Sequence, residues 1–235
     1  MDIQSAICIG TNILKDNHIR TAQLDTEILM SKALNKNRKF IILNNNQILN
    51  HETLEYFQKL IKARAARKPI AQLINKKFFW NYEFYITEDT LIPRPDTELI
   101  IEEILKLTKN KNKISLLDIG VGSGCILLTI LKERKNFYGT GIDISKKCLN
   151  ICKINAKNLK VLSRAKFYKT DVDKFAQGKY DLIVSNPPYI NKHSIKYLNK
   201  DVYNFEPKLA LDGGLDGLSE IRKVIKKSSE LIKKN

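Results

Sequence analysis

With 235 residues, 43% of them hydrophobic and 28% charged, the chain is long enough for one good-sized domain, or for a small domain joined to a medium one, each with its own core. No stretch approaches the roughly eighteen uninterrupted apolar residues of a membrane span. Met1-Asp2, followed by Lys15, Asp16 and Arg20, breaks any export-signal pattern, so a soluble, cytoplasmic protein is expected. The formal charge of +16 suits acidic partners such as nucleic acid. Lys, Asn and Ile are nevertheless used heavily throughout, as in Lys109-Asn110-Lys111-Asn112-Lys113, and a generally solvated basic surface is the reading adopted.

Up to about Arg67, apolar residues recur at helical spacing: Ile3 and Ile7, Leu24 and Ile28, then Leu54, Phe57, Leu60 and Ile61. This reads as a small helical bundle over residues 1–68. Asn50 is placed as the N-cap of its last helix, and Pro69 as the stop after the basic end Arg64 to Lys68. Between Pro69 and Thr90 the pattern changes to short β-prone runs, Ile70 to Ile74, Phe78 to Trp80 and Glu83 to Ile86, with Trp80-Asn81-Tyr82 as a turn. A β-hairpin linker over residues 69–92 is expected. Its aromatics, Phe78, Phe79, Trp80, Tyr82, Phe84 and Tyr85, are read as packing rather than as a platform for stacked bases.

Residues 93–235 are read as a Rossmann-like α/β domain. From Ile114 onward, strands at Ile114 to Leu117, Phe137 to Ile142, Ala165 to Lys169 and Tyr180 to Val184 alternate with helices near Gly124 to Lys135 and Lys146 to Leu159. A last helix is expected from Leu218 to Ile232. Alternation of this kind marks a parallel sheet with crossover helices. Cys8, Cys125, Cys148 and Cys152 form no CxxC pair and lack a histidine at zinc spacing, so no metal is expected. Cys148 and Cys152, four apart, read as two small residues on one helix face.

Three strand ends carry chemistry. Leu116-Leu117-Asp118-Ile119-Gly120-Val121-Gly122-Ser123-Gly124 is a strand that ends in an acid and turns through three glycines into a helix. Such a turn lets a ligand approach the main chain closely. Its GxGxG spacing differs from the GxGxxG that seats a pyrophosphate, and it lacks the Lys-Ser/Thr ending of a P-loop. Asp143 lies where the acid of an α/β nucleotide site falls, about 20 to 25 residues on, and can accept both ribose hydroxyls of an adenosyl group. Asp171, after the third strand, can accept from the adenine amino group while Val172 packs on the ring. Each acid alone can equally be a helix cap.

The fourth strand, Asp181-Leu182-Ile183-Val184-Ser185, stops at Asn186-Pro187-Pro188-Tyr189. Two prolines fix φ and carry no N–H, so the loop carbonyls are rigid acceptors. The Asn186 side-chain oxygen and the Pro187 carbonyl can together accept both N–H groups of one planar NH2, with Tyr189 covering its plane. No acid, base or nucleophile is required, which fits methyl transfer from a sulfonium donor, where alignment is the main task. Two acceptors also reject a hydroxyl or carbonyl in place of NH2.

These residues resemble the release factor glutamine methyltransferase family, whose members methylate the glutamine nitrogen of the GGQ tripeptide in peptide-chain release factors. The resemblance runs along nearly the whole chain: the helical N-terminal part, Lys68-Pro69-Ile70-Ala71-Gln72-Leu73-Ile74, Leu91-Ile92-Pro93-Arg94-Pro95-Asp96-Thr97-Glu98, the glycine turn, the NPPY segment with Ile190, and Phe205-Glu206-Pro207. NPPY is shared with DNA and RNA amino-methyltransferases; LIPRPDTE and FEP make the match specific. The resemblance implies a class I S-adenosylmethionine-dependent methyltransferase fold. It implies cofactor contacts from Gly120 to Gly124, Asp143, Val172 and Asn186, and glutamine contacts from Asn186 to Tyr189. Release factors are the implied partners, recognised with help from the N-terminal helices; a monomer that needs no nucleic acid is expected. An amino-methyltransferase acting on DNA or RNA, or an inactive relic that binds only cofactor or release factor, are the alternatives. Two departures stand out. Asn75 occupies a position where the family usually has glycine. The family also continues past Lys233-Lys234-Asn235 into a fifth strand and a final antiparallel pair, so a fragment, truncated after its fourth strand and poorly stable or inactive alone, is expected.

Overall fold

The computed structural model describes residues 1–234. In chain order it runs through helices α1 (Ile3–Asp16), α2 (Ala22–Leu34), α3 (Arg38–Leu43), α4 (His51–Ala65) and α5 (Ile70–Ile74), then strands β1 (Lys76–Phe79) and β2 (Tyr82–Tyr85). There follow α6 (Glu98–Leu107), β3 (Ser115–Ile119), α7 (Cys125–Glu133), β4 (Tyr138–Asp143), α8 (Lys146–Asn158), β5 (Ala165–Lys169), β6 (Leu182–Ser185), α9 (Lys200–Phe205) and α10 (Ser219–Leu231). Contacts divide these elements into two units. The first holds Met1–Asn75 with Lys200–Phe205; the second holds Lys76–Asn199 and the chain from Glu206 onward.

The first unit is helical because its apolar residues repeat at the helix period and its helix starts are capped. Asp2 accepts from the Ser5 N–H at 2.7 Å, Asn37 from Phe40 at 2.9 Å and Asn50 from Thr53 at 2.8 Å. Ile3, Leu14, Leu29, Met30, Phe57, Leu60 and Ile61 form the buried core. A partly buried ion network ties α9 to this bundle: Arg64 Nε lies 2.7 Å from the buried Asp25 Oδ2 and its Nη1 lies 2.8 Å from Asp201 Oδ2.

Two sequence expectations need correction here. The helix before Pro69 already ends at Ala65, and Arg67 takes a positive φ of 76°. Ile70 to Ile74, expected as a strand, is the helix α5, with Pro69 as its N-cap. The physical reason is packing: Ile70, Leu73 and Ile74 face the helical core at helical spacing, and a five-residue segment carries no period long enough to distinguish the two states. Asn75 closes α5 in the left-handed region, at φ 57° and ψ 33°. That conformation favours glycine, and asparagine is the side-chain-bearing residue that tolerates it best, so this departure from the family leaves the turn intact.

The second unit carries a four-stranded parallel sheet of order β5-β4-β3-β6. Leu116 and Leu117 of β3 are fully buried, as a central strand requires. On one face, Gly139 and Gly141 of β4 let α7 come so close that a Cβ on either would strike Leu127 or Val121. On the other face, Leu117, Ile119 and Ile142 pack with Phe175, Tyr180 and Leu231, the last supplied by α10. Beyond β6, Tyr180 N–H donates to the Leu231 carbonyl and Lys233 N–H to the Tyr180 carbonyl, both at 2.9 Å. The chain after α10 thus returns in parallel beside the start of β6.

The β1–β2 hairpin belongs to this second unit. Its two-residue turn places Trp80 at φ 56°, and Phe79 and Phe84 are buried edge to face. Trp80 Nε1 and Tyr82 Oη both donate to Glu133 Oε1, at 3.0 and 2.8 Å. These aromatics are packing and anchoring groups, although Phe78 stays exposed. Cys148 and Cys152 are both buried on α8.

Candidate active site

All the strand ends singled out in the sequence lie at one edge of the sheet, the carboxyl edge, where open α/β sheets take their ligands. The turn after β3 holds Gly120 and Gly122 at φ 77° and 53°, and a Cβ built on Gly120 meets nothing within 4 Å. The main chain there faces open space. Gly120 and Val121 N–H both donate to the Ile142 carbonyl, at 2.9 and 3.0 Å, and Gly124 N–H closes the turn onto the Val121 carbonyl at 2.8 Å. Ser123 is buried, and Asn155 Nδ2 donates to its carbonyl at 2.9 Å.

Two carboxylates brace this turn. Asp118 is 1% exposed; its Oδ2 accepts from the Leu127 N–H at 3.3 Å, while Oδ1 is buried without a partner. Burial pushes its carboxyl up to about 7, the Leu127 N–H opposes the rise and nearby Asp143 adds to it. Asp143 at the end of β4 accepts from Gly122 N–H at 2.9 Å and Ser145 N–H at 2.8 Å. Burial raises its carboxyl and these two N–H groups pull it back. Each oxygen has taken one internal donor, and a carboxylate has about four acceptor sites, so capacity for a diol remains. Asp171 caps the single turn Val172–Lys174 by accepting from Asp173 N–H at 2.9 Å. Val172 is partly buried against the core of that sheet face.

Asn186 leaves β6 beside the glycine turn, because Ser185 is in register with Ile119 and its Oγ donates to the Ile119 carbonyl at 2.7 Å. Its Nδ2 faces Thr97 Oγ1 at 3.4 Å. Among the described residues, none donates to Asn186 Oδ1 or to the Pro187 carbonyl. Pro187 and Pro188 are half-buried, and the Tyr189 ring is 64% exposed.

Several residues around this loop had no role in the sequence reading. Glu206 of the FEP segment is buried; its Oε1 meets Arg94 Nη2 at 2.6 Å and its Oε2 accepts from Ile92 N–H at 3.2 Å. The two segments that make the family resemblance specific therefore meet in space. The turn 211–217 wraps the far side of NPPY: Ile190 N–H donates to the Leu211 carbonyl, Gly213 N–H to Ile190, and Lys192 N–H to Gly214, at 2.9 to 3.1 Å. Asn191 Nδ2 also donates to the Leu215 carbonyl. A Cβ on Gly217 would sit 2.5 Å from the Tyr189 carbonyl oxygen, and one on Gly213 would sit 2.8 Å from Tyr189 Cα. Three glycines within five residues, Gly213, Gly214 and Gly217, are the signal from which this close approach was legible.

Comparison with known proteins identifies the family. Residues 6–74 match the model of the PrmC N-terminal domain, and residues 95–203 match that of the methyltransferase small domain. The chain is 37% identical over 224 residues to the release factor glutamine methyltransferase of Buchnera aphidicola from Acyrthosiphon pisum, covering 95% of this chain and 80% of that protein. The chain belongs to the release factor glutamine methyltransferase family. The Clostridium botulinum member is 36% identical over 235 residues, with 99% of this chain and 83% of that protein covered. Among solved structures, the hMettl16 catalytic domain superposes with a TM-score of 0.51 at 18% identity, covering 63% of this chain and 58% of that one. This likeness bears on the fold, a class I methyltransferase sheet. Among the described residues, no helix is long and apolar enough to cross a membrane, and no cluster of His, Cys, Asp and Glu is placed to hold a metal.

Proposed function

We propose that this chain transfers the methyl group of S-adenosylmethionine to the side-chain amide nitrogen of the glutamine in the GGQ motif of peptide-chain release factors, using Asn186 and Pro187 as a two-acceptor clamp. The observation that carries the reading is the Asn186 carboxamide at the end of β6, whose Nδ2 faces Thr97 Oγ1 at 3.4 Å while, among the described residues, none donates to its Oδ1. Family membership supplies the acceptor class.

The residues present fit the cofactor. The open space over Gly120 and the positive φ of Gly120 and Gly122 form a cradle that side chains would fill. Asp143 has acceptor capacity for ribose hydroxyls, while Asp171 and Val172 stand at the next strand end for adenine. S-adenosylmethionine brings an activated methyl group on a cationic sulfur, so the chain itself need supply neither nucleophile nor metal.

What these residues do is orient. Asn186 Oδ1 and the Pro187 carbonyl accept the two N–H groups of the glutamine amide and set its plane, and the exposed Tyr189 ring covers that plane on substrate binding. The nitrogen is thereby aimed across the short gap between adjacent strand ends at the glycine turn. Alignment of this kind accounts for a large part of the rate of bimolecular transfer. On gaining a methyl group the nitrogen takes over the positive charge, and the proton it sheds passes by way of these oxygens to water. We further propose that the N-terminal helical unit contributes to release factor recognition, and that the chain acts as a cytoplasmic monomer without nucleic acid.

NPPY and the net charge of +16 favour a nucleic-acid amino group as the rival acceptor. Labelled S-adenosylmethionine offered with release factor, tRNA and DNA in parallel separates the two. Label is expected on the release factor glutamine, and label on tRNA or DNA alone would reverse the assignment. Asn186→Ala is expected to abolish transfer while cofactor binding persists at reduced affinity; an active variant would remove the clamp from the mechanism.

A further inference from the structure

We infer that Thr97 is a positioning residue of this reaction, holding the Asn186 carboxamide by its nitrogen so that its oxygen stays presented to the substrate amide. The inference rests on the reading of Asn186 as an acceptor for the glutamine NH2. An asparagine side chain turns easily about its last torsion, which has broad, roughly two-fold wells, and a half turn exchanges an acceptor for a donor. With the nitrogen outward, Asn186 would oppose an NH2 with an NH2, and the clamp would lose one of its two acceptors.

The protein meets this with a turn braced on both sides. Thr97 is 8% exposed, and its hydroxyl lies 3.4 Å from Asn186 Nδ2. It sits in the short 3-10 turn Pro95–Thr97, closed by Thr97 N–H donating to the Arg94 carbonyl at 3.1 Å. Arg94 and Ile92 are in turn held by the buried Glu206 carboxylate, at 2.6 and 3.2 Å. On the other side of the turn, Glu98 Oε1 accepts from the Trp80 N–H at 2.7 Å. The segment therefore delivers one hydroxyl to one carboxamide from a braced position. Through this contact Thr97 acts on Asn186.

The test uses Thr97→Val, which exchanges the hydroxyl for a methyl of nearly equal size, and Thr97→Ser, which keeps the hydroxyl. Steady-state transfer to a full-length release factor is measured together with binding of S-adenosylhomocysteine by calorimetry. Losing one orienting hydrogen bond should lower kcat about 3- to 12-fold in Thr97→Val, with the KM for release factor and the Kd for S-adenosylhomocysteine within twofold of the unsubstituted chain. Thr97→Ser should recover kcat to within about threefold. The inference is overturned if Thr97→Val keeps kcat within twofold, if its defect lies in KM or in cofactor affinity, or if Thr97→Ser falls as far as Thr97→Val. Absence of glutamine methylation by the unsubstituted chain would instead overturn the acceptor assignment, and this inference with it.

Discussion

Gly217→Ala tests whether the 211–217 turn sets the position of the NPPY loop. At φ 77° an alanine pays for a left-handed conformation, about 1 to 2 kcal/mol, and its Cβ would lie 2.5 Å from the Tyr189 carbonyl oxygen. Ordinary contact begins near 3.4 Å, so the loop must yield by roughly 0.5 to 0.9 Å. Displacements approaching 1 Å cost about a hundredfold in a reaction governed by alignment. We expect kcat to fall about 10- to 100-fold while S-adenosylhomocysteine still binds, because the glycine turn after β3 is untouched. Gly178→Ala is the control. It has nearly the same φ, 81°, but its Cβ would meet only the Tyr180 ring end at 3.2 Å. Both variants should melt roughly 2 to 8 °C lower, and only Gly217→Ala should lose turnover. Equal kcat in the two variants, within twofold, would refute the reasoning.

Asp118 makes stability depend on pH. Its carboxyl is raised in the folded chain to about 7 against an ordinary 3.8, so its contribution is fully present below about pH 4 and is lost as pH rises through 7. Asp118→Asn removes this dependence: relative to the unsubstituted chain, its urea stability should improve by roughly 3 kcal/mol between pH 5 and pH 8. A difference that stays flat across that window would show that the carboxylate is already charged. In the first unit, Arg64→Ala leaves the buried Asp25, 5% exposed, without its partner at 2.7 Å. Such breakage costs roughly 3 to 5 kcal/mol, whereas Arg64→Met combined with Asp25→Leu should recover much of it. A loss below about 1 kcal/mol for Arg64→Ala in chemical denaturation would show that the Asp25 charge is satisfied without Arg64.

The amino-acid sequence by itself determined the elements whose signals are local. Helical spacing marked α1, α2 and α4, the Asn50 cap lay where it was read, and β5 spans the expected residues Ala165–Lys169. The glycine turn and NPPY announced themselves because a sharp bend and a stiff loop are made by the residues that occupy them. Where the signal was too short to carry a period, as in Ile70–Ile74, packing against the bundle core selected helix instead. Only tertiary structure decided what surrounds the chemistry. Thr97 reaches Asn186 across 89 positions and Arg94 reaches Glu206 across 112; Arg64 meets Asp201 across 137. Propensity and periodicity act over one or two turns of chain, so a single sequence bears no mark of which distant side chain a carboxamide will lean on; that choice is made when β6 pairs with β3 and the sheet brings their carboxyl ends side by side.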